Sequence, residues 1–226
     1  WYMRKKREFL RQRFFQQINR VRMENLRSRI SPHFTFNVLG REINQFNGSE
    51  EVKHNLMELV KYLRRSLELT EKLSVSLQDE LDFVRTYIEL ERGRVGEDFV
   101  ATVTVEDGLD ATRIMIPSMI VQIPVENAIK HGLAGKDGKK ELMVYVSRET
   151  NGIRITVTDN GRGYLPQVVS ATRGTGTGLK VLYQTIQLLN TKNKSDKIRF
   201  NITNRSDGQT GTEVSVYIPF RFSYDL

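Results

Sequence analysis

The sequence predicts an α+β protein in which a helical N-terminal part precedes one β-sheet with helices on one face. Residues 3–30 and 50–70 contain neither glycine nor proline, and their apolar side chains recur at helical spacings of three and four. From residue 99 onward, segments that alternate apolar and polar residues are interleaved with helical segments. Strands and helices mixed in this way, with hairpins between neighbouring strands, indicate an α+β sandwich.

The composition is that of an ordinary globular chain, but the positive charge is concentrated at one end. The first thirty residues hold ten Lys or Arg and only two acidic residues, which accounts for the whole net charge of +8. The rest of the chain is neutral, so its charge does not favour a nucleic-acid-binding protein. The absence of cysteine excludes disulfides and thiolate metal sites and suits a reducing compartment.

The first residues have the composition of the cytoplasmic end of a membrane-spanning helix. Trp1-Tyr2-Met3 is followed by Arg4-Lys5-Lys6-Arg7, and aromatic residues beside a basic cluster are typical of a membrane interface. The chain itself contains no run of about twenty apolar residues. We therefore expect a membrane span upstream of Trp1, with residues 1–25 as a juxtamembrane signalling helix. An ordinary basic N-terminal helix is the alternative.

The N-terminal part is predicted to form a helical hairpin that dimerises. A coiled-coil-like stripe (Phe14, Ile18 and Val21) on an otherwise basic helix needs a partner, and a parallel self-dimer is the simplest one. A polar turn at residues 47–49 then precedes the helix at 50–70. Two such hairpins would make a four-helix bundle in a homodimer. The predicted boundaries are 26–70 for dimerisation, 71–78 for a linker and 79–226 for the second domain.

The second domain begins with a predicted helix that Ser76 caps and that ends near residues 93–96. An Asn151-Gly152 pair indicates a tight hairpin between two strands. The remaining predicted elements are strands at 99–105, 142–147, 153–158, 197–203 and 212–218 and helices at 118–132 and 178–190.

Three motifs in this domain carry the chemistry. The first lies on the predicted helix 118–132, where the amide oxygen of Asn127 is a neutral hard ligand suited to Mg²⁺, and where Lys130 and His131 could meet phosphate oxygens. The second, Asp159-Asn160-Gly161-Arg162-Gly163, follows an apolar strand and combines a carboxylate with glycines that allow a flat base to approach.

The third motif is Gly174-Thr175-Gly176-Thr177-Gly178-Leu179, which opens a helix as phosphate-binding loops do. Any one of the three motifs is common in ordinary turns or packed helices. Their joint occurrence, in this order and on a strand–loop–helix scaffold, indicates a nucleotide site. The GxxxxGK[ST] pattern of a P-loop is absent, so the site is of another kind.

Residues 118–220 resemble the ATP-binding domain of the GHKL, or Bergerat-fold, superfamily, which includes histidine kinases, gyrases and Hsp90. Asn127 lies at the N-box position, Asp159-x-Gly161-x-Gly163 matches the G1 box and Gly174-x-Gly176-x-Gly178 matches the G2 box. The resemblance implies that Asp159 recognises adenine, that Asn127 holds Mg²⁺ and that residues 164–173 form a lid over ATP.

Residues 27–40, with Pro32-His33-Phe34-Thr35-Phe36-Asn37, resemble the phosphoacceptor segment of the LytS/YehU-type sensor histidine kinases. Residues 77–94 resemble the segment that joins the two domains in that family. The resemblance implies that His33 accepts the phosphoryl group, with Asn37 as a neighbouring support on the same helical face. The chain departs from the family pattern at four places: Arg29, Gly40, the order Ile123-Pro124, and Val181.

The function implied is that of the cytoplasmic kinase portion of a bacterial membrane sensor. ATP would phosphorylate His33 in a homodimer, the phosphoryl group would pass to an aspartate of a response regulator, and residues 71–78 would act as a hinge. A nucleotide-binding dimerisation module with weak or no kinase activity, in which His33 is merely structural, is the alternative. A gyrase- or Hsp90-like ATPase is disfavoured, because nothing in the chain resembles a transducer domain.

Overall fold

The structure of the chain, a computed structural model, describes residues 50–164, 177–191, 193 and 195–224. The predicted helix 3–30, the first arm of the hairpin and the turn at 47–49 lie outside these residues. The described helices are α1 Glu50–Glu71, α2 Leu77–Val95, α3 Gln122–Asn127 and α4 Thr177–Asn190. The strands are β1 Ser74–Ser76, β2 Phe99–Val105, β3 Met115–Pro117, β4 Lys140–Glu149, β5 Gly152–Asp159, β6 Arg199–Asn204 and β7 Thr212–Pro219.

Five of the strands form one mixed sheet in the order β2-β4-β5-β7-β6. Strands β2 and β4 run parallel, and the other neighbours are antiparallel. Strands β4 and β5 form an antiparallel hairpin whose last pair is Glu149 with Gly152, so the predicted hairpin is confirmed. Its two turn residues are Thr150 and Asn151, one position earlier than the Asn151-Gly152 pair predicted. Gly152 begins β5, and a Cβ atom there would stand 2.3 Å from the carbonyl oxygen of Ile218, so only glycine fits.

The core lies between one face of the sheet and the helices. Inward residues of the three central strands are almost completely buried and belong to one apolar cluster with residues of α2, α3 and α4. These inward residues are Leu142, Val144, Val146, Ile153, Ile155, Val157, Val214, Val216 and Ile218. On the opposite face, Val100, Met143 and Tyr145 are exposed. The predicted α+β class, with helices on one face of one sheet, is confirmed.

Helix α1 packs against the start of α2. The ring of Tyr62 stacks on Phe83 with centroids 4.8 Å apart, and Arg65 forms an ion pair with Asp79. The predicted cap of α2 is confirmed, because the Oγ of Ser76 accepts a hydrogen bond from the backbone N–H of Asp79 at 3.0 Å. The contacts of Tyr62 with Phe83 and of Arg65 with Asp79 hold α1 against the first two turns of α2.

The predicted linker 71–78 contains one strand of a short two-stranded sheet. Strand β1 pairs antiparallel with β3, and the side chain of Val75 at its centre is buried. The backbone N–H of Leu77 donates to the carbonyl of Ile114 at 2.7 Å. Neither strand is predicted from the sequence, since three residues are too few for a pattern.

The helix predicted over residues 118–132 is wrong in its start and in its regularity. Helix α3 begins at Gln122, and the four residues before it form a turn in which Met119 has a φ of 70°. The buried carboxylate of Glu80 accepts the backbone N–H groups of Met119, Val121 and Gln122 at 2.8, 3.0 and 3.2 Å. The first N–H groups of a helix have no acceptor within the helix, and here the carboxylate of Glu80, about forty residues earlier in the sequence, supplies one.

The end of the same segment is a π-helical turn, Ala128–Gly132. The N–H of Leu133 donates to the carbonyl of Ala128 at 2.8 Å, five residues back. Such a turn rotates the residues after it relative to a regular α-helix. Within the part of the chain that the structure describes, no helix is long and apolar enough to cross a bilayer.

Candidate functional site

A buried carboxylate lies at the centre of the site, where strand β5 ends. Asp159 is only 4 % exposed, and its Oδ1 accepts the backbone N–H of Gly161 at 2.8 Å and that of Thr212 at 3.4 Å. Burial raises the pKa of the Asp159 carboxyl above its usual range, although these hydrogen bonds act in the opposite direction. The second oxygen, Oδ2, receives neither of these two bonds.

Glycine backbone surrounds this carboxylate on three sides. A Cβ atom on Gly132 would stand 2.8 to 2.9 Å from the carboxylate atoms, and one on Gly161 would stand 2.0 Å from the carbonyl oxygen of Gly132. Gly211, at a φ of 138°, would meet the carbonyl oxygen of Asp159 at 1.9 Å. The π-helical turn, the G1 loop and the start of β7 therefore meet around Asp159, and no side chain can replace a hydrogen at these three positions.

The G1 loop is held at both ends by asparagine side chains. Asn160 accepts the N–H of Glu141 at 2.8 Å and donates to the carbonyl of Lys139 at 3.0 Å. Asn204, from the end of β6, accepts the N–H of Tyr164 at 2.6 Å and donates to its carbonyl at 3.3 Å. Gly163, the residue before Tyr164, adopts a φ of 85°.

The N-box helix α3 lies against the start of α4. A Cβ atom on Gly178 would lie 3.4 Å from the Cγ2 atom of Ile123 and 3.9 Å from the Nδ2 atom of Asn127. The next residue, Leu179, packs against the main core. The structure thus brings the N-box and the described end of the G2 box into contact.

The orientation of the Asn127 side chain fits a cation ligand. Its Nδ2 donates to the carbonyl of Ile123 at 2.7 Å, which leaves the amide oxygen as the atom free to face a cation. The described residues contain no cluster of three or more His, Asp or Glu that could hold a metal. Mg²⁺ commonly combines one or two protein ligands with phosphate and water oxygens, and the amide oxygen of Asn127 suits such a role.

Lys130 and His131 follow on the π-helical turn. The Nζ of Lys130 lies 3.3 Å from Oε2 of Glu126 and 6.0 Å from the ring centroid of Tyr87. Burial, and then the charges of Lys130 and Arg162, lower the pKa of His131, so its imidazole is neutral at physiological pH. One cation and one neutral donor are therefore available next to Asn127.

The predicted site is only partly described. Asn127, Lys130, His131, Asp159, Gly161, Gly163, Gly178 and Leu179 lie in the described residues, and Thr177 begins α4. Outside them lie His33, Asn37, Gly174, Gly176 and all of the predicted lid except Tyr164. Reasoning from the sequence assigned no role to Gly132, although it ends the first motif. It also assigned none to Asn204, Gly211 and Thr212, because these three residues lie outside the three motifs.

Two family models match most of the chain. Residues 21–99 match a family model described as "Histidine kinase". Residues 112–221 match one described as "Histidine kinase-, DNA gyrase B-, and HSP90-like ATPase". The chain belongs to the histidine kinase family. The family prediction made from the three boxes and the His33 segment is therefore confirmed, and histidine kinases are ATP-dependent phosphotransferases.

Two sensor histidine kinases illustrate the similarity. The chain is 32 % identical over 197 residues to the sensor histidine kinase/phosphatase LytS of Staphylococcus aureus strain MRSA252, covering 83 % of this chain and 33 % of that protein. It is 28 % identical over 202 residues to the sensor histidine kinase YpdA of Escherichia coli K12, covering 89 % of this chain and 34 % of that protein. The chain thus spans about a third of the length of these curated relatives.

Solved structures of histidine kinases are also similar. The histidine kinase domain of the blue-light activated kinase of Erythrobacter litoralis EL346 matches with a TM-score of 0.48 and 18 % identity, over 81 % of this chain and 94 % of that one. Histidine kinase AdeS of Acinetobacter baumannii matches with a TM-score of 0.45 and 18 % identity, over 87 % of this chain and 98 % of that one.

Proposed function

We propose that the chain is the kinase portion of a bacterial sensor histidine kinase in a two-component system. It transfers the γ-phosphoryl group of ATP to His33, and from there the group passes to an aspartate of a response regulator. The observation that carries the proposal is the buried carboxylate of Asp159, which glycine backbone encloses. One of these glycines, Gly132, ends the π-helical turn that follows Asn127 and so connects the carboxylate to the N-box.

Each described group of the site has a role in this proposal. A carboxylate that is surrounded by backbone atoms and shielded from bulk water can accept a hydrogen bond from the exocyclic amine of adenine. The glycines at 161 and 163 let the base approach, and the glycine-rich segment 174–178 cradles phosphates at the N-terminus of α4. Lys130 and His131 bind phosphate oxygens. Asn127 would hold Mg²⁺, which neutralises phosphate charge when bound.

The chemical step is attack by a neutral imidazole nitrogen of His33 on the γ-phosphorus. An N–P bond forms, the bond to the bridging oxygen breaks, ADP leaves, and the ring gives up a proton. The rate of such a transfer depends chiefly on the positioning of His33 and ATP and on charge neutralisation at the phosphates. Because neutral imidazole is abundant near pH 7, His33 needs no strong base beside it. Asn37 supports the ring from the next helical turn.

The remaining parts of the proposal concern assembly. Residues 26–70 form a homodimer through a four-helix bundle, and the partner that receives the phosphoryl group is a response regulator. Residues 1–25 connect the bundle to a span of the plasma membrane upstream of Trp1, so the kinase portion lies in the cytoplasm. The relatives are named sensor histidine kinases, which supports this arrangement.

ATP that is labelled on the γ-phosphate tests the proposal. We expect the chain to acquire label that is acid-labile and base-stable, as a phosphorylated imidazole is, and to lose it on addition of the cognate regulator. His33→Ala should remove the label while leaving nucleotide binding intact, and His54→Ala should retain it.

Three outcomes would count against the proposal. ATP binding without any label favours the alternative of a nucleotide-binding dimerisation module. Label that persists in His33→Ala overturns the choice of His33. A chain that does not bind ATP at all overturns the assignment of the Asp159 site.

A further inference from the structure

A chain of hydrogen-bonded polar side chains, buried except for a half-buried lysine at its end, connects α1 to the N-box. It consists of Tyr62 in α1, Gln122 and Glu126 in α3, and Lys130 in the π-helical turn, and we call it the Tyr62–Lys130 chain. The Nε2 of Gln122 donates to the hydroxyl of Tyr62 at 3.4 Å and to Oε1 of Glu126 at 3.2 Å. The Nζ of Lys130 donates to Oε2 of Glu126 at 3.3 Å.

Gln122 is the residue on which this chain depends. Its side chain is completely buried, and its Oε1 has no hydrogen-bond partner among the described residues. The orientation of the amide is therefore set by its two N–H bonds, to Tyr62 and to Glu126. A buried amide that loses one of two such partners is driven to reorient, because an unsatisfied buried donor is costly.

Tyr62 is itself fixed by the packing of α1 on α2. Its ring is stacked on Phe83, nearly parallel at 2° between the planes, and lies 5.9 Å from the ring of Tyr87. The hydroxyl reaches Gln122 only when α1 is packed in this way. The position of Gln122 therefore depends on the docking of the predicted dimerisation helix.

Lys130 is held from two sides at the other end of the chain. The carboxylate of Glu126, only 9 % exposed, lies on one side, and the face of the Tyr87 ring lies on the other. Both oxygens of that carboxylate are engaged, one by Gln122 and one by Lys130. A lysine held in one position gives up less side-chain freedom when it binds a phosphate than a lysine that is free.

We propose that Tyr62 and Gln122 are positioning residues that, through Glu126, hold Lys130 toward the phosphate groups of the bound nucleotide. Docking of α1 on α2 therefore strengthens the binding of ATP and ADP at a site that α1 does not touch. The inference rests on the proposed function, in which Lys130 meets the phosphates.

The test removes the Tyr62 hydroxyl and compares two ligands. Tyr62→Phe in the full chain keeps the stacked ring and deletes one acceptor. We expect ADP to bind about threefold to tenfold more weakly by calorimetry, a change that corresponds to part of the rotamer freedom of one lysine. Adenosine, which lacks phosphates, should bind with unchanged affinity. Tyr145→Phe, on the exposed face of the sheet, is the matched control and should change neither affinity.

A double-mutant cycle with Lys130→Met separates positioning from general damage to the fold. If Tyr62 acts through Lys130, the effect of Tyr62→Phe on ADP affinity should vanish in the Lys130→Met background. Gln122→Met, which removes both N–H bonds at similar volume, should weaken ADP binding in the same direction and lose its effect in the same background.

Several results would overturn the inference while leaving the proposed function intact. Unchanged or tighter ADP binding in Tyr62→Phe is one of them. An equal loss of adenosine and ADP affinity, or a loss that persists with Lys130→Met, shows a structural role instead. Failure of the wild type to bind ADP at all would count against the proposed function itself.

Discussion

The carboxylate of Asp159 lies directly against the backbone of Gly132, so closely that a methyl group there would stand 2.8 Å from Oδ1 and 2.9 Å from Oδ2. The carbonyl of Gly132 in turn accepts the N–H of Arg162 at 3.3 Å. The contact joins the end of the N-box turn to the G1 loop. It sets how far the group proposed to recognise adenine lies from the groups proposed to hold phosphates.

Gly132→Ala should therefore displace the Asp159 carboxylate and weaken nucleotide binding by about tenfold or more. The new methyl group would stand 2.8 to 2.9 Å from all three atoms of the Asp159 carboxyl group, so that group must move. Calorimetric titration with ADP measures the effect. Gly152→Ala is the control, since it also introduces a clash with backbone but at the far end of the sheet. If Gly152→Ala lowered the ADP affinity as much as Gly132→Ala does for the same loss of stability, the prediction would be contradicted.

Asp159→Asn should separate stability from binding. Since burial raises the pKa of this carboxyl above its usual value of 3.8, ionisation costs folding free energy. That cost is present in full above the folded-state pKa and disappears as the pH falls below the unfolded value. The unliganded variant should therefore be at least as stable as wild type at neutral pH, with the difference shrinking toward acid. Urea denaturation across this pH range measures it.

The affinity for nucleotide, unlike the stability, should be lower in Asp159→Asn than in wild type. Loss of the acceptor proposed for the adenine amine should weaken binding of ADP and adenosine alike, by about 10- to 100-fold. Lower stability of the unliganded variant at neutral pH would contradict the raised pKa of Asp159, and unchanged adenosine affinity would contradict its assignment as the adenine acceptor.

His131 should make the protein less stable in acid. Burial and the charges of Lys130 and Arg162 lower its pKa below 6.5, while Glu126 acts in the opposite direction. The neutral form is therefore favoured in the folded state. This contribution to stability is present in full above the unfolded pKa and is lost as the pH falls through it.

We accordingly expect His131→Gln to lose less free energy of unfolding than wild type between about pH 7.5 and pH 5.5. Urea denaturation at both pH values provides the measurement. His54→Gln, at a position that the sequence predicts on an exposed helix face, should lose as much as wild type. A His131→Gln variant whose loss equals that of wild type would show that His131 does not titrate in this window.

Glu80 should be a major contributor to stability although it lies outside the proposed nucleotide contacts. Glu80→Ala leaves three buried backbone N–H groups without an acceptor and removes what holds Met119 at positive φ. We expect a loss of about 3 kcal/mol in the free energy of unfolding. Glu80→Gln, which keeps one acceptor oxygen, should lose less.

Glu89→Ala on the same helix is the matched control for Glu80. Its carboxylate is exposed and forms a surface pair with Arg92, so its removal should cost about 0.5 kcal/mol or less. Denaturation in urea distinguishes the variants. Equal losses at Glu80 and Glu89 would show that the three N–H bonds do not stabilise the turn before α3.

The sequence by itself determined the elements whose signals are local. The predicted strand at 99–105 agrees with β2, the helix at 178–190 agrees with α4 to one residue, and the helix at 50–70 agrees with α1 to one residue. The hairpin between β4 and β5 and the Ser76 cap also agree with the prediction. In each case the deciding interactions join residues within a few positions of one another, so the pattern of neighbours contains them.

The chemistry of the site was likewise visible in the sequence as residue types. Asp159, Asn127 and the glycines of the G1 and G2 boxes were identified by motif. The motifs could not show which atoms face which. That the Nδ2 of Asn127 is engaged by Ile123, that Lys130 is held by Glu126, and that Asp159 is enclosed by Gly132 and Gly211 follow only from packing.

Only the tertiary structure decided where α3 begins. The apolar pattern of residues 118–132 favours one regular helix, yet Glu80 takes the N–H groups of Met119, Val121 and Gln122 and moves the start to Gln122. Likewise β1 is a strand only because β3 lies beside it. Local patterns fix which conformations a segment favours, whereas a buried carboxylate or a pairing partner supplied from a distant part of the chain selects among them, since buried polar groups must be satisfied wherever the fold brings them.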